Sequence, residues 1–331
     1  PPAPPPPKPP PPLSPPQLPP PTYPPSPSPP RPPPNPCLRF IGPYADLVAA
    51  ACLDLRRADL THANLIEANL AGVDLRGARL AQANLRNAKL QHANCAGASF
   101  IEADMRGAEL EGTILDEAAL NGAMLQNAIF VGTSMRRADL SGAQLSGATL
   151  NMVQQASQVS FDGANLNGAQ IVKSVMRDSS FRRIIMLNAQ LVDSDFSASD
   201  FSLAQLRECQ FNTCTFKGVT LTGALLDDAQ LEHVSLQGAQ LSGSSFSKAS
   251  LTRVDLHYAV AHEADFSKAV LSGTDFSHAQ LDAARFVLSQ MTSKVIFNYA
   301  AVSYVDYTGA SGIKQATFVG ATGKSSAIGL P

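Results

Sequence analysis

ADLTHANLIEANLAGVDLRGARL, residues 58–80, decides how the rest of the chain is read. Leu60, Leu65, Leu70, Leu75 and Leu80 stand five residues apart, with Ala or Val two places before each. A helix repeats its apolar residues about every 3.6 positions and a strand every 2. A period of five fits neither, so the unit is a coil whose sides are five residues long.

Call the fifth-position residue the centre. From Leu55 to Leu150 all 20 centres are Leu, Phe, Met or Cys, and 16 of the 20 residues two places earlier are Ala. A second run extends from Phe161 to Ile296, with 28 centres of which Ala261 is the weakest. The exceptions to Ala reveal the turn. Leu53, Val73, Thr113 and Thr133 are separated by multiples of 20, and Val153, Ser174, Ser194, Cys214, Val234, Val254 and Thr274 continue the same column. Four units therefore make one turn, and each face lies above itself along the chain. One large centre and one small residue point inward on every side, while three residues face water. Ala is favoured because so narrow an interior must be close-packed. The column that takes Val, Thr and Cys is expected to have more room. One residue is inserted between 153 and 174, and residues 151–160 are expected to hold a bulge or short protruding loop with Gln155 in a poor position for a centre.

The units ADLTH, ANLIE, ANLAG, ANLRN and ADLSG resemble the pentapeptide-repeat family. The resemblance covers residues 53–297, about three quarters of the chain. It implies an all-β fold, a right-handed quadrilateral parallel β-helix. At four units per turn the repeats make about 12 coils, or roughly 58 Å of rod. It is specific for fold and poorly specific for function, since family members include gyrase-inhibiting DNA mimics and proteins of the thylakoid lumen.

The ends divide the chain further. Residues 1–36 hold 24 of the 26 prolines and cannot pair in a sheet or form a helix. They are expected to form a polyproline II arm of roughly 110 Å at about 3.1 Å per residue. Residues 37–52 are read as an N-terminal cap with a short helix from Tyr44, and residues 298–331 as a C-terminal cap or tail in which the five-residue pattern fades. Cys37 and Cys52 are a disulfide candidate that would close a loop of about 15 residues; two free thiols in a capping segment are the other reading. Cys95, Cys209 and Cys214 fall on inward positions and read as small core residues.

The segment PPSPSPPRPPP resembles the hydroxyproline-rich stretches of green-algal and plant wall proteins. That resemblance implies secretion, with Ser14, Pro25, Ser26, Pro27, Ser28, Pro29 and Pro30 as hydroxylation or glycosylation candidates. The competing use of such a tail is recruitment of proline-reading modules.

Chemistry is sparse. The formal net charge is −2, against the basic surface that nucleic acid requires and the strong acidity that DNA mimicry requires. Arg76, Arg79, Arg86, Lys89, Arg106, Arg136 and Arg137 interrupt any acidic face. No apolar run approaches the roughly 20 residues of a membrane span. The six histidines fall on outward positions, and His257 and His278 read as surface neighbours rather than metal ligands. No catalytic motif, cofactor or metal is expected. One turn, Ile114, Ala119, Met124 and Ile129, replaces Asp or Asn before the centre with apolar residues, and Tyr299, Tyr304 and Tyr307 gather near the C-terminal end. Ile114, Met124, Ile129 and the three tyrosines are the interaction candidates.

The expected function is a non-enzymatic structural rod of an extracellular matrix or fibre. Its partners are further copies of itself, joined end to end or through the arm, with glycans or matrix proteins beside them. A binding adaptor or a thylakoid-lumen scaffold is the alternative, and topoisomerase inhibition a remote one.

Overall fold

A computed structural model describes residues 2–3 and 35–330 of the chain. The expected polyproline arm and its modification candidates lie outside the described residues. Residues 35–330 form a parallel β-solenoid with no α-helix among the described residues. Each turn pairs with the next on four sides, as in Asp54↔Asp74, Asp59↔Arg79, Asn64↔Asn84 and Asn69↔Lys89. On one side the pairing widens into strands: β1 (Thr149–Asn151), β2 (Gln170–Val172), β3 (Gln190–Val192), β4 (Gln210–Asn212), β5 (Gln230–Glu232), β6 (Ser250–Thr252), β7 (Val270–Ser272) and β8 (Gln290–Met291). They form one eight-stranded sheet in sequence order, advancing seven turns along that side.

The corners follow from hydrogen bonding. The small residue's N–H donates to the centre carbonyl three residues back, as from Ala78 to Leu75 at 2.9 Å and from Ala83 to Leu80 at 3.1 Å. The residue two after the centre has positive φ, +63° at Gly77 and +59° at His62. This is the type II turn pattern, and it favours Gly at a position that strains most other residues.

In the column that departs from Ala, the hydroxyl-bearing members make hydrogen bonds besides filling space. Between Leu150 and Val153 the Ser174 hydroxyl from the next turn replaces the corner bond. It accepts from Val153 N–H at 3.1 Å and donates to Leu150 O at 2.8 Å. Ser174 N–H donates in turn to the Ser194 hydroxyl at 3.1 Å. Thr113 and Thr133 donate to Leu90 O and Leu110 O, and Thr274 to Leu251 O. A buried backbone group left unpaired costs about 1–3 kcal/mol, so a hydroxyl is favoured at these places and at Ser179 and Ser199 on the next side, while Val73, Val153, Val234 and Val254 of the column carry none.

Centres fill the interior as stacked columns. Phe161, Phe181 and Phe201 stack at 5.0 and 4.4 Å, and Phe181 meets Phe196 edge to face at 5.7 Å. Phe246, Phe266 and Phe286 make a second column that ends on Tyr307.

Four local expectations change, and the expected bulge near 155 is found. Leu53 is 48% exposed, so the inward pattern begins at Leu55, with Cys52 buried ahead of it. The cap holds a 3-10 helix at Pro36–Phe40, stabilised by Asn35 accepting from Cys37 N–H, instead of a helix from Tyr44. The inserted residue near 155 is absorbed as a bulge: Gln154 and Gln155 turn outward and Ala156 takes the buried place. Met135 and Met176, the centres one turn before and after Ala156, are flexible enough to fill around so small a residue. A second insertion shifts the register near 292–296. Asp275 pairs with Ile296, 21 residues on, so Ile296 lies beside the core and Phe297 is the centre. The coil also continues where a cap or tail was expected, with buried Val302 and Tyr307 and the pairs Ala301↔Thr322 and Asp306↔Ile328.

Asp residues before the centres brace the corners. Asp74 accepts from Arg76 N–H at 3.2 Å, Asp139 from Ser141 N–H at 2.9 Å and Asp195 from Ser197 N–H at 2.9 Å. The side-chain hydrogen bond from Arg76 lowers the Asp74 carboxyl below its ordinary value. Burial raises those of Asp139 and Asp195, but hydrogen bonds, led by Ser141 and Ser197, outweigh it and leave both lowered.

Two outcomes are expected. Carboxyls depressed in the fold take up protons first in the unfolded chain. Their stabilisation is complete above about pH 5 and lost as pH falls through the depressed native values. A urea midpoint followed by circular dichroism should therefore stay level from neutral pH to about 5 and fall steadily below about 4. Phe181→Ala should lower stability by about 3–5 kcal/mol, because it empties the middle of an aromatic stack that its neighbours cannot close. Denaturant titration reads that loss.

Candidate interaction surfaces

Turn geometry places the residue after each centre beside the residue before it. Asp then Arg at those two places makes a bidentate pair. Arg56 donates from Nε and Nη2 to Asp54 at 2.9 and 2.7 Å, and Arg76 and Arg106 grip Asp74 and Asp104 in the same way. Arg136 reaches back one turn to Asp116 at 2.6 Å, and Arg79 to Asp59 at 3.5 Å. The side-chain hydrogen bond from Arg56 holds the Asp54 carboxyl down at about 2. Arg76, Arg79, Arg106, Arg136 and Arg137 of those singled out in the sequence thus neutralise neighbouring acids. Exposed pairs of this kind contribute little stability each. Their effect is a surface with few uncompensated charges. A groove of about 510 Å³ lies among them, lined by Asn35, Asp54, Arg56, Arg57 and Arg76.

The candidate residues separate in the structure. Cys37 and Cys52 form a disulfide, with Cα atoms 5.4 Å apart, that ties the cap segment ahead of the first coil. Cys95, Cys209 and Cys214 are buried free thiols. Burial pushes all three up, Cys209 to about 12 and Cys214 to about 11, which removes nucleophilic thiolate at neutral pH.

Ile114 and Ile129 are exposed and Met124 is half-buried, each on a different side of one turn. Ile114 pairs with Asn94 and Ser134, so polar residues flank it along its own face. A ring around the coil presents no single apolar face, and the three residues do not form one contact patch. Tyr304 is 72% exposed and Tyr299 is also exposed. Tyr307 is not a surface residue: it is 1% exposed, a core centre stacked on Phe286 and meeting Phe297 and Phe318 edge to face. The sequence grouped it with the other two because the register shift near 292–296 had not been read.

His257 and His278 are not partners. His257 sits between Asp255 at 2.8 Å and Asp275 at 3.7 Å. His278 stacks between Tyr258 and Tyr299, both at 5.0 Å. Beyond Tyr299 a Cβ on Gly320 would lie 2.4 Å from Tyr299 Cδ1, so glycine is required where the stack closes. The signal for this exposed column was the spacing of 258, 278 and 299, one turn apart with the second insertion counted. Among the described residues no group of three or more His, Cys, Asp or Glu is placed to hold a metal, and no helix is long and apolar enough to cross a membrane.

Solved structures with similar coils include HetL from the cyanobacterium Nostoc sp. strain PCC 7120, at 23% identity over 70% of this chain and 89% of that one, TM-score 0.36. They also include QnrB1, a plasmid-mediated fluoroquinolone resistance protein, at 16% identity over 53% and 92%, TM-score 0.32. A pentapeptide repeat protein of the Arabidopsis thaliana thylakoid lumen matches at 28% identity over 35% and 63%, TM-score 0.15. At these scores the likenesses carry no argument about function. No curated protein sequence matches the chain. The family description "Pentapeptide repeats" matches residues 54–91, 78–116, 113–151 and 249–286, and "Pentapeptide repeat region" matches residues 189–266. The four-sided pairing and the five-residue burial pattern agree with those matches, and this chain belongs to the pentapeptide-repeat family.

Proposed function

We propose that the protein is a non-enzymatic structural rod of an extracellular matrix or fibre. About 12 coils would give a shaft of roughly 58 Å. Copies join through the ends of the shaft, and the proline-rich residues 1–36 act as a glycosylated tether.

The observation that carries this reading is where exposed large apolar side chains fall. Phe40, Tyr44, Val48 and Leu53 crowd the start of the described coil. Leu288, Tyr299, Tyr304, Val319 and Ile328 crowd its last turns. The much longer shaft between carries paired Asp and Arg, with six exposed apolar side chains, Ile101, Ile114, Ile129, Met152, Leu203 and Tyr258, spread thinly along it. Apolar surface concentrated in two places on an otherwise compensated surface marks contacts. Two different patches that fit one another make an open, head-to-tail chain instead of a closed dimer. The free thiols are buried and held protonated, and many surface carboxylates are paired with arginine, which supports a non-enzymatic role.

Electron microscopy of the purified full chain over a range of concentrations tests this. Filaments are expected for the natural sequence. Tyr299→Asp with Tyr304→Asp should give isolated short particles, because both side chains are exposed and can be charged without disturbing the core. Short particles from the natural sequence at every concentration would remove the fibre reading and leave the adaptor one.

A further inference from the structure

The sheet β1–β8 differs from the other sides of the coil. Its outward positions carry a single charged side chain, Glu232. Gln170, Gln190, Gln210 and Gln230 stand in register on four consecutive strands, all exposed, which places their amides about 4.8 Å apart. Val172 and Val192 lie half-buried beside them. A groove of about 250 Å³ runs among Gln190, Val192, Gln210, Asn212 and Gln230, with Glu232 at its edge. The adjoining side carries ion pairs such as Arg177 with Asp195. The amide column is thus an uncharged strip along an otherwise charged shaft.

We propose that this strip binds a linear, uncharged polysaccharide lying along the coil axis. The inference rests on the matrix reading above and names a partner class for it. An amide both donates and accepts, as does each sugar hydroxyl, so a polymer of hydroxyl-bearing rings meets a matching group on every rung. Val172 and Val192 supply apolar ground for ring C–H faces. Charge is part of the selectivity: uronate or sulfate groups would lose hydration with no cation on the strip to meet them, and Glu232 would repel them.

A second copy of the chain is the competing occupant, and size argues against it. Strands three residues wide span about 10 Å and seven turns about 34 Å, or roughly 340 Å². A stable protein interface needs about 800 Å² per partner. A strip that is long and one strand wide suits a single polymer chain, whose affinity accumulates over many weak contacts.

The test is affinity electrophoresis of the full chain through gels containing hydroxyethyl cellulose, galactomannan or polygalacturonate. Retardation is expected in at least one of the two neutral gels and none in polygalacturonate, with no change at about 0.5 M salt. Gln190→Glu with Gln210→Glu, two exposed substitutions, should weaken the retardation about tenfold or more while leaving the circular dichroism spectrum unchanged. No retardation in either neutral gel, retardation by polygalacturonate alone, or an unaffected double variant would overturn the proposal. So would a double variant whose only change is a smaller sedimentation coefficient, which assigns the strip to a second copy. Filament formation by the same samples keeps the two readings apart: filaments without polysaccharide binding sink only this one, and binding without filaments sinks only the assembly.

Discussion

The width of the coil is the constraint on which the rest depends. Twenty residues per turn leave room inside for four centres and four small residues, and Ala is what close packing allows beside a Leu or Phe. Because every turn repeats that section, centres lie above centres. Aromatic residues then stack along a column, as the strand spacing imposes, and meet edge to face across it, an arrangement their quadrupoles prefer. A single-residue insertion must therefore be expelled outward, as at Gln154 and Gln155, or the whole column downstream would shift from core to surface.

The same narrowness governs the polar groups. A buried corner cannot be reached by water, so its backbone groups must be paired by the protein. Most corners manage this with their own β-turn. At some places where that bond is missing, a serine from the following turn supplies it, as Ser174 does for Val153 and Ser179 for Val159. On the outside, Asp before a centre and Arg after one compensate each other, and the shaft is left with little net field. The exposed apolar side chains, densest at its two ends, and the glutamine strip are what remain for contact.

Much of this was legible from spacing. The period of five, the turn of 20 and the inward assignment of Cys95, Cys209 and Cys214 needed no coordinates, because a repeat of identical environments leaves its imprint on composition. The contact candidates were less legible. Ile114, Met124 and Ile129 are equally apolar in the sequence, but contact depends on sharing a side of the coil, and each lies on a different one. Tyr307 was misplaced because the second insertion hides in TSKVIF, where Val295, Ile296 and Phe297 are all plausible core residues.

By itself, then, the sequence determined the class of fold, the four-sided turn and the identity of nearly every core position. A strict period forces each of these once one side must be apolar and narrow. Only the tertiary structure decided which residue carries a register shift, which hydroxyl completes a corner and which surface residues stand together. These depend on partners about 20 residues away, and on small choices between neighbouring side chains of similar polarity. Composition is nearly blind to such choices, whereas packing and backbone pairing are not.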